Sequence, residues 1–342
     1  MVGFRGTVVE SRHWIVRAIE DDHLGGVILF DRNVDGSVQN ISSPQQLCHL
    51  TAALQQYGRD RLLIAVDQEG GQVCRLKARD GFPAAVSARE LAGFDVKKAA
   101  AAANQMAATL AAHGITMNMA PVVDLDLNPA NPIIGRYGRS FSPAPEKVVH
   151  CASLVIEAHH RAGISCCLKH FPGHGSAGKD SHLGFVDTTD DWRQEELVPF
   201  IRLMEKGVVD AVMTAHIINR RLEPQGIPAT LSRPVITGLL RRRLGFSGVV
   251  VSDDLQMRAI TDKWGFREAV RRAVLAGVDL LVIGNNLAAD EHAVKKGIRC
   301  IKEMLDSGEI DGDYIRASLD RISMLQQKTA GESAWNNNRP TA

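Results

Sequence analysis

The sequence predicts an α/β fold, namely a single-domain (β/α)8 barrel of the TIM type. Two observations support this prediction. A helical pattern, a glycine and then a short apolar run recur in that order along the chain, and about eight such apolar runs are present. Strands that alternate with helices form parallel βα units, and eight units favour a closed barrel over an open doubly wound sheet, which is the second interpretation.

The apolar runs predict strands near residues 2, 27, 62, 116, 164, 209, 248 and 279. Helices are predicted over 98–113, 145–162, 192–206, 232–244 and 266–276, and a further one begins near Ser43-Pro44, a cap residue followed by proline. Five of these helices are followed by a glycine that tolerates the left-handed conformation of a helix end: Gly114, Gly163, Gly207, Gly245 and Gly277. We expect the barrel to span residues 1–327 and the polar, aperiodic tail 328–342 to be disordered.

Composition and charge narrow the possible classes of partner. Of the 342 residues, 45% are hydrophobic, and 40 Lys and Arg face 39 Asp and Glu, so the net charge is +1. This balance offers no electrostatic surface for nucleic acid or for an anionic membrane. No apolar run reaches the roughly 20 residues of a transmembrane helix, and the first residues lack the apolar core of a secretory signal. Six cysteines without a C-x-x-C pair indicate reduced thiols, so we expect a cytoplasmic protein.

Polar groups follow five of the eight predicted strands directly, and catalytic groups of a barrel lie at the C-terminal ends of its strands. These strand ends carry Asp67-Gln68-Glu69, then Asp124, then Lys169-His170, then His216, and finally Asp253-Asp254. Five such ends together predict a polar pocket. The residues alone therefore indicate a barrel hydrolase, lyase or isomerase that acts on a polar, largely neutral substrate.

The same residues leave several chemistries open. Asp253 is the best candidate for a nucleophile, whereas Asp254 fits a helix cap equally well. Lys169 at a strand end also suits a Schiff-base lysine, as in an aldolase. His170 and His174 have the spacing of a helical zinc pair, but a proline and a glycine lie between them, so we expect no metal site.

At these positions the sequence resembles glycoside hydrolase family 3, and within it the single-domain bacterial β-N-acetylglucosaminidases of peptidoglycan recycling. The matching strings are Gly26-Val-Ile-Leu-Phe30, Val66-Asp-Gln-Glu-Gly-Gly71, Ala120-Pro-Val-Val-Asp124, Arg139-Ser-Phe141, Lys169-His-Phe-Pro-Gly-His-Gly175, Asp180-Ser-His182, Met213-Thr-Ala-His216 and Ser252-Asp-Asp-Leu255. They span residues 26 to about 285 in the family's order, and the string from Lys169 to Gly175 followed by Asp180-Ser-His182 is the most specific.

The resemblance implies a retaining double displacement without cofactor or metal. Asp253 would form a covalent glycosyl-enzyme, His182 would be the general acid and then the base, and Asp180 would orient the imidazole of His182. A histidine in this role departs from the usual pair of carboxylates but suits proton transfer near neutral pH. The residues implied to bind the hydroxyls of a terminal N-acetylglucosamine are Asp67, Arg75, Arg139, Lys169 and His170. The implied partner is a small carbohydrate of the muropeptide type, and we expect a monomer.

One departure from the family pattern concerns the arginine that binds the sugar. The segment Ile134-Gly-Arg-Tyr-Gly-Arg-Ser-Phe141 carries two extra residues, so Arg136 competes with Arg139 for that role.

The alternatives in function are a β-glucosidase, or a phosphorylase that transfers the sugar to phosphate, since a histidine does not repel an incoming anion. A lysine-dependent aldolase and a sugar-binding protein without activity are the remaining rivals.

Overall fold

Six parallel strands form the main sheet of the computed structural model, which describes residues 1–59, 61–179, 184 and 186–329. In chain order the strands are β1 (Gly26–Ile28), β2 (Leu63–Val66), β3 (Gln68–Gly70), β4 (Val73–Cys74), β5 (Met117–Asn118), β6 (Ser165–Phe171), β7 (Val186–Asp187), β8 (Ala211–Thr214), β9 (Ile217–Ile218) and β10 (Val249–Val251). The sheet has the order β1-β2-β5-β6-β8-β10, while β3-β4 and β7-β9 are separate two-stranded pairs.

The helices cover the outside of this sheet. They are α1 (Trp14–Glu20), α2 (Pro44–Gly58), α3 (Ala88–Ala92), α4 (Val96–Ala112), α5 (Pro145–Arg161), α6 (Val198–Glu205), α7 (Arg258–Ala276), α8 (Ala293–Asp306) and α9 (Gly312–Thr329), with a π-helical segment over Pro234–Arg243. Short 3-10 turns occur at Ala78–Asp80, Gln194–Leu197 and Ala229–Leu231.

Two single bridged positions close the sheet into a ring. Leu280 bridges Val251 of β10, and Val2 bridges both Ile283 and Val27 of β1, all in parallel orientation. The eight predicted strand positions therefore correspond to six strands and two bridged segments. The prediction of a TIM-type barrel is confirmed.

The helix ends follow the local signals in the sequence. Ser43 accepts the backbone N–H of Gln46 at the start of α2, with Pro44 in the first turn. The five glycines expected to end helices all have positive φ, between 69° and 105°. The Gly114 and Gly277 positions are also crowded, since an added Cβ would lie 2.6 Å and 2.9 Å from a threonine hydroxyl oxygen.

The barrel interior is apolar, and the last helix packs against its N-terminal end. Met117, Met213 and Val249 belong to one buried cluster that also includes Leu325 of α9. Residues of α9 also pair with buried carboxylates at the strand starts: Arg321 with Asp279 at 2.9 Å and Lys328 with Asp210 at 3.1 Å. Lys328 and Thr329 are thus helical, and the rest of the expected tail, from residue 330, lies outside the described residues.

Two helices differ from the sequence prediction. The segment 234–243 is π-helical, and the helix expected from residue 266 already begins at Arg258 and is kinked at Gly265, whose φ is 64°.

All six cysteines are free, and five of them are buried. Within the described ranges, no helix combines the length and the apolar character needed to cross a membrane.

Candidate active site

The candidate site lies at the C-terminal ends of the parallel strands, where the charged groups of the sequence converge. Asp67 follows β2 directly, Lys169 and His170 belong to the end of β6, and Asp253 lies two residues beyond β10. Because these strands are neighbours or near neighbours in one ring, their ends meet at one edge of the barrel.

Lys169 is the buried cation at the centre of the site. Its ammonium lies 2.8 Å from Oδ1 of Asp67 and 2.6 Å from Oε1 of Glu69, and its side chain is only 2% exposed. Burial would lower the pKa of Lys169, but the two carboxylates outweigh burial and raise it. Burial would likewise raise the pKa of Asp67, but Lys169 and Arg75 hold it well below its usual range.

This pairing bears on the aldolase alternative. A Schiff-base lysine attacks as the neutral amine, which requires a lowered pKa. Lys169 is instead held as a cation by two carboxylates. The arrangement therefore favours a hydrogen-bonding role for Lys169 over a nucleophilic one.

Arg139 forms a two-bond ion pair with Glu69. Its Nε lies 2.7 Å from Oε2 and one terminal nitrogen lies 2.8 Å from Oε1 of Glu69. Burial opposes both charges, yet the partners' attraction raises the pKa of Arg139 and lowers that of Glu69. Arg136 is exposed, whereas Arg139 is buried among the candidate site residues. Arg139 is thus the arginine of this segment that lies in the site.

Arg75 reaches the site from the short hairpin β3-β4. Its guanidinium lies 3.2 Å from Oδ2 of Asp67 and stacks over the ring of Phe30, with 5.1 Å from Cζ to the ring centroid. The buried Gln68 side chain holds this hairpin, since its Oε1 accepts the backbone N–H groups of Arg75 and Leu76, both at 3.0 Å. Gln68 therefore fixes the backbone from which Arg75 extends.

Gln68 is itself held by the neighbouring strand. Asn118 of β5 accepts the N–H of Gln68 at its Oδ1 and donates from Nδ2 to the Gln68 carbonyl, both at 3.0 Å. The Nδ2 of Asn118 also lies 3.0 Å from Nε2 of His159 on α5. Burial lowers the pKa of His159 to about 4, so its imidazole is neutral and its Nε2 accepts this bond.

His170 is oriented by Asp124. Its Nδ1 lies 2.7 Å from Oδ2 of Asp124, and its Nε2 lies 3.4 Å from a terminal nitrogen of Arg139. Since Arg139 can only donate, Nε2 of His170 accepts and Nδ1 carries the proton. Burial opposes ionisation of Asp124, but the His170 side chain and then His174, through its backbone N–H, keep the pKa of Asp124 lowered. The backbone N–H of His170 also donates to Oδ1 of Asp124, at 3.2 Å.

His174 differs from His170 in its surroundings. It is 2% exposed, and its ring lies 6.0 Å from the His170 ring in an edge-on arrangement. Among the described residues, neither of its ring nitrogens has a hydrogen-bond partner. Burial lowers the pKa of His174 to about 4. The ring is therefore neutral at ordinary pH.

Within the described ranges, no group of three or more His, Cys, Asp or Glu side chains could hold a metal ion.

Asp253 and Asp254 have different environments. Asp254 accepts the backbone N–H groups of Gln256 and Gly284 at Oδ1, both at 3.0 Å, and so organises the turn and joins it to the last bridged segment. It is not the helix cap considered above, because α7 begins at Arg258 after Met257. Asp253 is half-buried, and its Oδ1 accepts the Asp254 N–H at 2.8 Å.

His216, the other polar strand end, supports this turn. Its Nε2 lies 2.9 Å from the carbonyl oxygen of Asp254 and its Nδ1 lies 2.8 Å from the Thr230 hydroxyl. His216 thus connects the end of β8 to the turn that carries Asp253. The other two residues expected to be catalytic, Asp180 and His182, lie outside the described residues.

The structure thus brings together all five expected sugar-binding residues and adds Glu69 and Asp124 to them. Both additions were visible in the sequence as acidic residues at strand ends, but their partners, Arg139 and His170, are 70 and 46 residues away. The site alternates cationic donors with carboxylate acceptors. A sugar hydroxyl both donates and accepts, so such a lining suits a polyhydroxylated, neutral ligand.

Comparisons with known proteins agree with this arrangement. The Glycosyl hydrolase family 3 N terminal domain matches residues 3–325. A beta-hexosaminidase of Tolumonas auensis is 40% identical over 271 residues, which cover 78% of this chain and 77% of the relative. The solved family 3 beta-N-acetylglucosaminidase of Paenibacillus sp. FPU-7 matches with a TM-score of 0.89 and 35% identity, over 100% of this chain and 62% of that one. The beta-N-acetylhexosaminidase of Beutenbergia cavernae matches with a TM-score of 0.81 and 27% identity, over 97% and 96% of the two chains. The chain therefore belongs to glycoside hydrolase family 3.

Proposed function

We propose that this glycoside hydrolase is an exo-acting, retaining β-N-acetylglucosaminidase. Its substrates would be peptidoglycan fragments in which N-acetylglucosamine is the terminal non-reducing sugar, such as N-acetylglucosaminyl-anhydro-N-acetylmuramyl peptides. The observation that carries the proposal is the set of Lys169, Asp67 and Glu69, which presents paired donors and acceptors for hydroxyls at the same end of the barrel strands that carries Asp253. The names of the relatives, beta-hexosaminidase and beta-N-acetylglucosaminidase, support hexosaminides as the class of substrate.

In the first chemical step, a carboxylate oxygen of Asp253 attacks the anomeric carbon and the glycosidic bond breaks. The leaving oxygen takes a proton from the His182 imidazolium, so the aglycone departs as a neutral alcohol. In the second step, His182 removes a proton from water, the water oxygen attacks the anomeric carbon, and Asp253 is released as a carboxylate. Two inversions give net retention of configuration.

The remaining residues bind and orient the sugar in this scheme. Asp67, Arg75, Arg139, Lys169 and His170 would bond the hydroxyls of the terminal sugar and place its anomeric carbon against Asp253. Asp180 would orient the imidazole of His182 and stabilise its charged form. These charges are already paired in the protein, so a bound neutral sugar replaces water without leaving a buried charge alone.

Direct assay tests the proposal. Purified protein is incubated with an aryl β-N-acetylglucosaminide, with the matching β-glucoside and with a disaccharide fragment of peptidoglycan, each with and without phosphate. We expect cleavage of the acetylated aryl substrate and of the fragment, with N-acetylglucosamine as product in both buffers. Preference for the glucoside, or formation of a sugar 1-phosphate, would replace this function by that of a β-glucosidase or a phosphorylase.

Oligomeric state and cell compartment belong to the same proposal. Light scattering is expected to give the mass of a monomer, and cell fractionation is expected to recover the protein with the cytoplasm. A larger mass, or recovery from another compartment, would contradict these expectations.

A further inference from the structure

Glu196 is a fully buried acid outside the set of expected site residues. It lies in the 3-10 turn before α6 and is 0% exposed. Its Oε2 accepts the backbone N–H of Gly175 at 2.9 Å, and its Oε1 accepts the Ser176 hydroxyl at 2.6 Å. A weaker bond of 3.4 Å joins Oε1 to the N–H of Arg193 in its own turn. Glu196 thus holds the segment that follows His170 and His174.

The other contacts of this segment come from different directions. Oδ1 of Asp124 accepts the His174 N–H at 2.8 Å, so two adjacent backbone amides are held by two different carboxylates. The Trp192 indole donates to the Pro172 carbonyl at 3.1 Å, and the Asn131 amide donates to the His174 carbonyl at 2.8 Å. The segment is therefore fixed on several sides. Beyond His174, Asn131 also donates to the Gly175 carbonyl at 3.3 Å and Asn128 donates to the Ala177 carbonyl at 3.2 Å, while Glu196 supplies the carboxylate that accepts the Gly175 N–H and the Ser176 hydroxyl.

Close packing also requires glycine at two positions here. A Cβ at residue 173 would lie 2.5 Å from Cβ of Glu196, and a Cβ at residue 175 would lie 1.7 Å from the Leu125 carbonyl oxygen. The chain thus passes directly over Glu196.

Glu196 is a costly residue at this position. Burial raises its pKa to about 7, and the nearby Asp124 carboxylate acts in the same direction. An apolar side chain of similar size would avoid this penalty. A buried acid retained under these conditions, with its two short bonds directed at one loop segment, indicates a role in placing that segment.

We propose that Glu196 is a positioning residue for the proton-transfer step, acting through Gly175 and Ser176. This inference rests on the proposed function, in which His182, six residues after Ser176, is the acid and base. Glu196 touches neither substrate nor reacting atoms in this scheme. It fixes the chain from which the segment carrying Asp180 and His182 continues.

The test compares kcat/KM for two β-N-acetylglucosaminides, one with a nitrophenyl leaving group and one with a sugar leaving group. Glu196→Ala is expected to lower kcat/KM about 30- to 100-fold on the sugar leaving group, because small misplacement of a catalytic group is enough for such losses. The loss on the nitrophenyl substrate should stay below about 3-fold, since that group departs without a proton. Glu195→Ala, in the adjacent exposed position, is the matched control and should leave both values unchanged.

Two further variants separate positioning from folding. Glu196→Gln keeps an oxygen for the Gly175 N–H and an amide for the Ser176 oxygen, so it should restore most of the activity on the sugar leaving group. Ser176→Ala removes only the hydroxyl contact and should give the same leaving-group dependence with a smaller loss, even where Glu196→Ala does not fold.

A double-mutant comparison decides between the possible failures. In a His182→Ala background, Glu196→Ala should cause no additional loss on the sugar leaving group. Equal losses on both substrates, or losses that add to those of His182→Ala, would overturn the positioning role. A His182→Ala protein without leaving-group dependence would instead overturn the proposed acid, and with it the premise of this inference.

Discussion

Lys169 and Asp67 lie 102 residues apart in the sequence, and their side chains meet with 2.8 Å between Nζ and Oδ1. The contact links the ends of β2 and β6 across the intervening β5. With Glu69 and Arg139 it forms a chain of alternating charges that is almost fully removed from water. Each member of this chain is therefore stabilised by its neighbours, and loss of Lys169 would leave Asp67 paired only with Arg75 and Glu69 paired only with Arg139.

Replacement of Lys169 by Ala is expected to reduce kcat/KM about 10- to 100-fold or more, because the substrate hydroxyl loses its cationic partner. It should also destabilise the fold, but by less than the roughly 3–5 kcal/mol of an uncompensated buried charge, because Asp67 keeps Arg75 and Glu69 keeps Arg139. Kinetics on the aryl N-acetylglucosaminide and urea unfolding measure both effects. Lys302→Ala, on the exposed side of α8, is the control.

Borohydride treatment with substrate provides a separate check on Lys169. No covalent adduct is expected, since the residue is held as a cation. A reduced adduct on Lys169, with wild-type kcat/KM in the Ala variant on glycosides, would favour the aldolase alternative instead.

A second prediction concerns Arg75 and the residue that holds its backbone. Gln68→Ala should raise KM, because Oε1 of Gln68 no longer fixes the N–H groups of Arg75 and Leu76. In an Arg75→Ala background, the same substitution should change KM little further, since the guanidinium that it positions is gone. Steady-state kinetics of the two single variants and the double variant measure this coupling. Independent, additive effects would show that Gln68 serves only the stability of the hairpin.

How much of the structure the sequence predicts depends on how far apart along the chain the interacting residues lie. Strand positions and the helix C-termini marked by glycine depend on neighbouring residues, such as the apolar run before Asp67 or the glycine at 114, and the structure agrees with these predictions. The start of α7 at Arg258 and the π-helical segment 234–243 were not predicted. Glu69 and Asp124 were predicted at the polar pocket but without a role of their own, because their roles arise from partners that only the closed ring brings near.

Other features also required the structure. The exposure of Arg136 and burial of Arg139 depend on how the loop with two extra residues folds, so the sequence left both open. Glu196 resembles any acidic residue at the start of a helix, and its burial beneath Gly175 has no local signal. The roles of Asp180 and His182 remain predictions from family resemblance.

The pH dependence of stability should also reveal Glu196. Its pKa is raised from 4.5 to about 7 in the folded protein, so the folded state binds the proton more tightly than the unfolded chain. The free energy of unfolding therefore falls as pH rises from about 4.5 to 7, by an amount on the order of 3 kcal/mol from this group. Glu196→Gln removes this contribution.

Urea unfolding of the wild type and of Glu196→Gln at pH 5 and at pH 8 measures the difference. At each pH, the free energy of unfolding of the wild type is subtracted from that of the Gln variant. This difference should be more positive at pH 8 than at pH 5. An equal difference at both pH values would mean that Glu196 does not titrate in this range in the folded state.

Asp253 should be the site of covalent labelling. A fluorinated glycosyl inhibitor is expected to accumulate as an ester on this carboxylate, and Asp253→Ala should lose about 10³-fold or more in rate, because no glycosyl-enzyme forms. Asp254→Asn is the comparison, since Asp254 organises the turn through its bonds to Gln256 and Gly284. Peptide mapping that places the label on Asp254, or finds no label, would contradict the assignment.

The final prediction concerns His182 as acid and base. Replacement by Ala should severely impair cleavage of substrates with a sugar leaving group, because protonation of the glycosidic oxygen is then required. With a nitrophenyl leaving group the first step should proceed, and the second step should limit turnover, since no base remains to activate water. Azide should then attack the glycosyl-enzyme, release Asp253 and give the β-glycosyl azide, with recovery of rate.

Asp180→Asn should show a weaker form of the same defect, because the imidazole of His182 loses its orienting carboxylate. Equal losses on good and poor leaving groups, without an azide product, would mean that His182 only binds substrate. The proton donor would then have to be another residue, and His174, with its pKa lowered to about 4, is a poor candidate near neutral pH.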